Sequence, residues 1–149
     1  MSISSQRAFR HLVSIHFRHC DPAGIAYYPN YFSFLNDAIE TWFTSALGIN
    51  YYEFYTRREL AIPTVRLECE FMAPCRMGDQ LAVLLSIRQL GRSSIQLSVT
   101  LADAATNEPR ATLGCTLVFV SSKLGKAVPI PDDVRSAIEG WSRQASDTP

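Results

Sequence analysis

The sequence predicts an α+β fold in which a mostly antiparallel sheet of about five strands wraps a single long helix. Two patterns carry this prediction. Residues 31–47 place apolar side chains at helical spacing, and several later stretches alternate apolar and polar residues as half-buried strands do. Because short turns separate the later strands, we expect neighbouring strands to form antiparallel hairpins.

The predicted elements follow one another along the chain in a simple order. A first strand is predicted over residues 10–17, and the long helix is expected to end at Gly48. A polar and aromatic connector fills residues 49–60. The apolar residues Val134, Ile138 and Trp141 predict a brief amphipathic helix near the end. The remaining strands are predicted over residues 65–71, 81–87, 95–101 and 113–119, with turns at 91–92 and 103–109.

The composition indicates one domain whose partner is a small molecule. With 149 residues, 47% of them hydrophobic, the chain can bury one core, which we expect over residues 8–141 with frayed ends. Fourteen basic residues balance 14 acidic ones, so no electrostatic footprint for nucleic acid is expected. No apolar run has the length of a membrane span, and residues 1–6 lack the apolar segment of a signal peptide. We therefore expect a cytoplasmic protein with no membrane partner.

The cysteines are predicted to be free, buried thiols rather than metal ligands or a disulfide framework. They lack the paired short spacings of a zinc site, and no metal is expected. Cys20 could be a nucleophile with His16 or His19 as its base, but on a strand it would point away from its neighbour Asp21. The four cysteines are Cys20, Cys69, Cys75 and Cys115.

Residues 19–31, His-Cys-Asp-Pro-Ala-Gly-Ile-Ala-Tyr-Tyr-Pro-Asn-Tyr, carry the strongest functional signal. Pro22 and Gly24 predict a turn that holds the carboxylate of Asp21 just before the long helix. The first amides of a helix lack intrahelical partners and can stabilise a developing oxyanion. The alternative is that Asp21 only caps the turn or the helix. Asn30 is a further candidate for the N-cap of the helix.

The same run resembles the signature of the 4-hydroxybenzoyl-CoA thioesterases, a family of the hotdog-fold superfamily. The resemblance implies hydrolysis of an acyl-CoA thioester, with an aryl-CoA such as 4-hydroxybenzoyl-CoA as substrate and no cofactor. It implies that Asp21 is the catalytic carboxylate, acting as nucleophile or general base. It also implies that the amide of Tyr28 polarises the thioester carbonyl.

The resemblance implies further contacts with the substrate. Many relatives have histidine where this chain has Tyr28, and the tyrosine indicates the aryl-thioesterase branch. Arg92 corresponds to one residue of a basic cluster, although Gly91 and Ser93 replace its basic neighbours, and Ile62 replaces a family threonine just before Pro63. The residues expected to bind substrate are Gly24, Tyr31, Pro63, Thr64, Arg92 and Ser94.

Members of the family form dimers or tetramers with active sites shared between protomers, and we expect a homodimer or homotetramer here. Since the helix covers only one face of the sheet, a symmetric partner would cover the other face or an edge. Two other functions stay open: a thioesterase for short aliphatic acyl-CoA, and a protein that binds acyl-CoA without turnover. A hydratase on this fold would need a histidine about five residues after Asp21, where the chain has Ala26.

Overall fold

A computed structural model describes residues 7–144 of the chain. Over these residues the chain forms three α-helices and eight strands. The helices are α1 (Asn30–Thr41), α2 (Tyr51–Thr56) and α3 (Asp132–Arg143). The strands are β1 (Phe9–Ser14), β2 (Leu60–Ala61), β3 (Thr64–Phe71), β4 (Gln80–Leu90), β5 (Ser94–Asp103), β6 (Pro109–Val118), β7 (Val120–Ser121) and β8 (Lys126–Ala127).

Five strands form one antiparallel sheet in the order β1-β4-β5-β6-β3. This confirms the predicted α+β class and the predicted hairpins. A second, three-stranded sheet, β2-β7-β8, was not predicted. Its strands have two residues each, too few for an alternating pattern to be recognised.

The first strand is shorter than predicted. It ends at Ser14, because Ile15 is buried and both its amide and its carbonyl bond to residues 78–79. Phe17 then begins a short 3-10 helix, Phe17–His19, and its side chain is 83% exposed. The predicted strand over residues 10–17 is therefore wrong in its last three residues, because Phe17 belongs to this helix and is exposed.

The long helix lies where it was predicted. α1 continues through a π-helical turn, Trp42–Ala46, and Gly48 follows with φ +69°, the left-handed conformation that ends many helices. The predicted cap is wrong: Pro29 is the N-cap, and the Asn30 side chain instead donates to the carbonyl of His19 at 2.7 Å. The buried side of this helical region comprises Tyr31, Phe34, Leu35, Ala38, Ile39, Trp42 and Phe43.

The connector over residues 49–60 contains a helix that was not predicted. Asn50 caps α2 by accepting a hydrogen bond from the amide of Glu53 at 3.0 Å, and Phe54 is fully buried. The predicted C-terminal helix is confirmed as α3, and it buries the three predicted residues. Ser142 is helical rather than frayed, while residues 145–149 and 1–6 lie outside the described part of the chain.

β3 lies at the edge of the large sheet. One side of β3 pairs with β6, and no described strand pairs with the other. Leu67 lies opposite buried Cys115 on the face that packs toward the core, yet Leu67 is 39% and Phe71 50% exposed. The far face of the sheet carries small polar residues such as Thr112, and Leu67 and Phe71 leave exposed apolar surface at this edge.

Candidate active site

The signature residues form a tight turn before α1. Cys20 and Ala26 pair as an isolated bridge, the amide of Asp21 donates to the carbonyl of Ile25 at 2.9 Å, and the amide of Gly24 donates back to the carbonyl of Asp21 at 3.0 Å. Gly24 has φ +77°, a conformation that glycine adopts without steric cost. The predicted turn is therefore present.

The carboxylate of Asp21 is held by the turn at one of its two oxygens. Its Oδ1 accepts a hydrogen bond from the amide of Ala23 at 2.9 Å, so Asp21 does stabilise its own turn. Its Oδ2 accepts no hydrogen bond from any residue between 7 and 144, and the side chain is partly exposed. One oxygen is oriented by the backbone, and the other remains available for chemistry.

The amide of Tyr28 is also available. The neighbouring amides of Tyr27, Asn30 and Tyr31 donate to the carbonyls of His19, Tyr27 and Tyr28 respectively, at 2.8–3.1 Å. Tyr28 itself donates its amide proton to no described residue. A free N–H just before a helix N-terminus can stabilise a negatively charged oxygen.

An aromatic pocket of about 330 Å³ opens beside Tyr28. The rings of Tyr28 and Tyr31 lie 6.1 Å and 5.4 Å from the ring of Phe71. Tyr31 is buried, and burial together with the nearby Cys75 thiol raises the pKa of its phenol, which therefore stays neutral. The pocket is lined by Ile25, Ala26, Tyr28, Tyr31, Phe71, Met72, Ala73 and Pro74.

The segment 71–74 was not predicted to belong to the site. Phe71 was predicted only as the last residue of the strand over residues 65–71. The signal that could have identified it is the apolar run Phe71-Met72-Ala73-Pro74, which continues past the end of β3 without a polar residue.

The loop at 74–79 supports the signature turn from behind. The amide of Ala26 donates to the carbonyl of Cys75 at 2.7 Å, and Ile25 pairs with Arg76 as an isolated bridge. The guanidinium of Arg110 holds this loop by donating to the carbonyl of Pro74 at 2.7 Å. Arg110 was not predicted as a site residue.

The side chain of Arg110 is only 14% exposed and lies between two carboxylates. It contacts Asp79 at 3.1 Å and Asp103 at 3.3 Å. Hydrogen bonds from the amides of Thr106 and Ala105, with a smaller effect of Arg110, lower the pKa of Asp103, so this carboxylate stays charged. A charged, partly buried network therefore fixes the loop behind the signature turn.

The other predicted binding residues lie together elsewhere. Thr64 and Ser94 face Leu117 and Val118, neighbouring residues of β6, and the carbonyl of Pro63 accepts the amide of Val118 at 3.1 Å. Arg92 is exposed in the turn before β5. All four lie at the Thr64 end of the sheet.

Within one chain the two groups of predicted residues are far apart. Thr64 and Phe71 are the two ends of β3, which has 8 residues. At about 3.3 Å per residue the strand separates the ends by about 23 Å. The structure thus brings Tyr28 and Tyr31 into one pocket next to the turn of Asp21 and Gly24, and leaves Pro63, Thr64, Arg92 and Ser94 outside it.

The cysteine and histidine residues next to Asp21 are engaged in local contacts. Cys20 Sγ donates to the carbonyl of His16 at 3.5 Å, and Nδ1 of His19 accepts from the amide of His16 at 2.9 Å. Burial, Arg18 and His16 lower the pKa of His19, which favours its neutral form. Of the predicted buried free thiols, Cys75 and Cys115 are buried, whereas Cys20 and Cys69 are partly exposed.

No three His, Cys, Asp or Glu side chains between residues 7 and 144 cluster in a way that would hold a metal ion. No helix in the same range is long and apolar enough to cross a bilayer.

A family model of the thioesterase-like superfamily matches residues 15–138. The chain belongs to the thioesterase-like superfamily. The predicted family is confirmed at this level, while the 4-hydroxybenzoyl-CoA branch stays a prediction. The match spans the signature turn, α1, four of the five strands of the large sheet and most of α3, and it begins just after β1.

Individual relatives of this superfamily agree with the match. The 1,4-dihydroxy-2-naphthoyl-CoA hydrolase of Thermosynechococcus vestitus is 27% identical over 135 residues, which is 90% of each chain. A gentisyl-coenzyme A thioesterase of solved structure is 27% identical, with TM-score 0.79 over 87% of this chain and 99% of that one. A Synechocystis 1,4-dihydroxy-2-naphthoyl-CoA thioesterase shares the fold, with 23% identity and TM-score 0.81 over 88% and 95% of the chains. These likenesses confirm the predicted hotdog fold.

Proposed function

We propose that this protein is an acyl-CoA thioesterase that hydrolyses an aryl-CoA to the free acid and coenzyme A. The observation that carries the proposal is that one carboxylate oxygen of Asp21 and the amide of Tyr28 both lack a hydrogen-bond partner among residues 7–144. Both belong to one short segment beside an aromatic pocket. Membership of the thioesterase-like superfamily supports the reaction class.

Asp21 supplies the oxygen chemistry. As a general base, Oδ2 accepts a proton from water while the water oxygen attacks the carbonyl carbon. As a nucleophile, Oδ2 attacks directly and gives a mixed anhydride that water then cleaves. In both routes the carbon–sulfur bond breaks and the CoA thiolate leaves.

The amide of Tyr28 stabilises the tetrahedral intermediate. When either nucleophile attacks, the carbonyl oxygen gains negative charge and needs a donor already in place. The free N–H of Tyr28 supplies such a donor at no reorganisation cost. One donor of this kind is typically worth about 3 kcal/mol of barrier.

The pocket favours an aromatic acyl group. Tyr28, Tyr31 and Phe71 present ring faces and edges to the same space, and aromatic groups pack against each other in these geometries. The two relatives at 27% identity are named for hydroxylated aryl-CoA substrates, 1,4-dihydroxy-2-naphthoyl-CoA and gentisyl-CoA. A hydroxyaryl-CoA is thus the proposed substrate class, with 4-hydroxybenzoyl-CoA as one member.

A homodimer would complete the site. The Pro63–Thr64 group lies at the far end of β3 from Asp21, and β3 has an open edge with exposed apolar residues. Antiparallel pairing of two copies of β3 would place Thr64 of one chain beside Phe71 of the other. Each pocket would then take Asp21, Gly24, Tyr28 and Tyr31 from one protomer and Pro63 and Thr64 from its partner.

Coenzyme A brings phosphates that call for cationic and hydrogen-bonding groups at the rim of the site. Arg92 is exposed in its turn, and Ser94 follows it at the start of β5. In the proposed dimer both lie near the partner's pocket. They are our candidates for anchoring the nucleotide, and the reaction as proposed uses no cofactor or metal.

The free cysteines support a cytoplasmic location. All four thiols are unpaired in the described residues, and such thiols are typical of reducing compartments.

The decisive experiment is thiol release by the purified protein and by Asp21→Asn. The panel comprises 1,4-dihydroxy-2-naphthoyl-CoA, gentisyl-CoA, 4-hydroxybenzoyl-CoA, and short and long aliphatic acyl-CoA. We expect turnover on an aryl thioester and at least a 100-fold loss of kcat in Asp21→Asn, about 2.7 kcal/mol of barrier. Asp132→Asn, an exposed carboxylate on α3, is the control and should keep full activity.

The other outcomes identify the alternatives. Preference for aliphatic thioesters would assign the protein to a broader acyl-CoA substrate class. If wild type and Asp21→Asn both bind acyl-CoA tightly and neither releases thiol, the protein is an acyl-CoA-binding protein and not an enzyme. Unchanged hydrolysis by Asp21→Asn would remove Asp21 from the mechanism.

A further inference from the structure

The open edge of β3 carries charges as well as apolar residues. Arg66 and Glu68 point to the sheet face away from α1, where they lie opposite Thr116 and Gly114. Within the strand Arg66 Nε donates to Glu68 Oε1 at 3.1 Å, and both side chains remain well exposed, at 72% and 64%. The two charges pair with each other within the strand, and their exposure leaves both able to contact a partner strand as well.

Symmetry restricts how two copies of β3 can pair. When a two-fold axis runs perpendicular to the joined sheet, facing residues lie on the same face, so one residue sits on the axis opposite its own copy. Arg66, Leu67, Glu68 and Cys69 lie near the middle of the strand and are the candidates. Each choice defines one register.

The charges distinguish these four registers. With Arg66 or Glu68 on the axis, two like charges face each other directly. With Cys69 on the axis, Glu68 faces the partner's Glu70, again a like pair. Only with Leu67 on the axis does Arg66 face the partner's Glu68, twice by symmetry, and like charges directly opposite destabilise strand pairs whereas opposite charges stabilise them.

The apolar face is compatible with that register. Leu67, at 39% exposed, would meet its own copy on the axis, and Val65 would lie near the partner's Cys69. The solvent-facing side would gain a ring of four alternating charges. The apolar residues supply affinity in any register, and the charges select one.

We propose that Arg66 and Glu68 fix the register of a homodimer in which Leu67 lies on the two-fold axis. The inference rests on the shared-site dimer proposed above. It also sets the composition of the site, because the Thr64 end of β3 then lies beside the partner's Phe71 in the pocket wall. A register shift between Thr64 and Arg66 turns Thr64 to the core face, where its hydroxyl lies 3.9 Å from Cys115 Sγ. A shift of the axis by one residue would slide the strands by two residues, about 7 Å.

Cysteine cross-linking tests the register directly. Facing residues of an antiparallel pair have Cα atoms about 4.5–5.5 Å apart, within the range that a disulfide spans. In a Cys20→Ser, Cys69→Ser background, single cysteines replace Arg66, Leu67 or Glu68. Under mild oxidation we expect Leu67→Cys to give covalent dimer at least tenfold faster than the other two. Faster cross-linking at 66 or 68, or through native Cys69 in Cys20→Ser, would overturn the register.

Charge reversal tests the cause. Arg66→Glu makes the four central charges acidic and Glu68→Arg makes them basic, so each variant alone should dimerise at least tenfold more weakly in sedimentation velocity. An equimolar mixture should recover a heterodimer, and the double variant should dimerise like the wild type. Unchanged dimerisation of both single variants would overturn the role of the charges.

Neither experiment measures catalytic activity, so failure of the dimer register and failure of the proposed function can be told apart. If Leu67→Cys cross-links as expected but Asp21→Asn hydrolyses normally, the proposed interface holds and the proposed chemistry fails. If the wild-type protein is a monomer with Asp21-dependent thiol release, the proposed chemistry holds and the interface fails.

Discussion

The guanidinium of Arg110 lies 3.1 Å from the carboxylate of Asp79 and joins the start of β6 to the loop before β4. Through this loop it supports Ala26, whose amide bonds to the carbonyl of Cys75 at 2.7 Å. A charged side chain remote from the predicted chemistry therefore fixes the backbone that carries Asp21.

Arg110→Met should lower the free energy of unfolding by about 2–3 kcal/mol, because two carboxylates and a carbonyl lose their partner in a partly buried site. Urea unfolding measures this loss. Arg88→Met, an exposed arginine of β4, is the control and should change stability by less than about 0.5 kcal/mol. Arg110→Lys should recover part of the loss. Equal stability of the Arg110→Met and Arg88→Met variants would contradict the role of the network.

Two glycine-to-alanine substitutions should change the free energy of unfolding in opposite directions. Gly48 has φ +69° after the π-helical turn, so Gly48→Ala should cost about 1 kcal/mol. Gly140 lies within α3, where an added Cβ meets nothing within 4 Å, so Gly140→Ala should stabilise the protein by about 0.5–1 kcal/mol. Thermal unfolding of both variants measures the difference, and two shifts of the same sign would refute this explanation.

Acid should weaken the contact between α3 and residue 58. Hydrogen bonds from Arg58, at 2.7 and 2.8 Å, lower the pKa of Asp133 below its ordinary 3.8. A carboxylate whose pKa is lowered on folding stabilises above its unfolded pKa and loses that effect as the pH falls through the folded value. Since its side chain is 62% exposed, solvent screening limits the contribution to about 0.5 kcal/mol.

Asp133→Asn should therefore melt about 1–2 °C below wild type at neutral pH, and the gap should close below about pH 3. Arg58→Gln is the matched variant from the other side of the contact. It should show at least the same gap at neutral pH, because it also loses the contact of the guanidinium with the Phe54 ring at 5.4 Å. A difference that persists unchanged in acid would assign the stabilisation to something other than the charged carboxylate.

Cys20→Ser should leave thiol release unchanged. Cys20 Sγ is directed to the carbonyl of His16, and Nδ1 of His19 is occupied by the amide of His16, so no base is positioned for this thiol. The thiol-release assay on the best aryl-CoA measures it beside Asp21→Asn. A loss as large as that of Asp21→Asn would restore Cys20 as the nucleophile.

The fold was predicted from apolar spacings that recur several times within each helix or strand. The apolar spacing over residues 31–47 and the alternation in the later strands depend on burial on one face, which leaves a periodic trace in sequence. α2 escaped prediction because it has 6 residues, of which Phe54 is the buried one. β1 was predicted too long because alternation alone does not reveal that Ile15 bonds to residues 78–79.

The site was predictable where its residues are adjacent in sequence. Asp21, Gly24, Tyr28 and Tyr31 occur in one run, and the turn and pocket contain them. The contributions of Phe71 and Arg110 depend on strands and loops that meet only after folding. The place of the Thr64 group depends on a second chain, which no pattern within one sequence describes.

β1, at the opposite edge of the sheet, limits how many copies of the chain can add to the joined sheet. If two β3 strands join, β1 ends the combined sheet on both sides. β1 has 6 residues and carries Arg10 and His11, and short, basic edge strands resist the addition of further strands. The β3 edge thus favours pairing with a second copy, whereas the β1 edge does not. Association therefore stops at a closed dimer instead of continuing into a fibre.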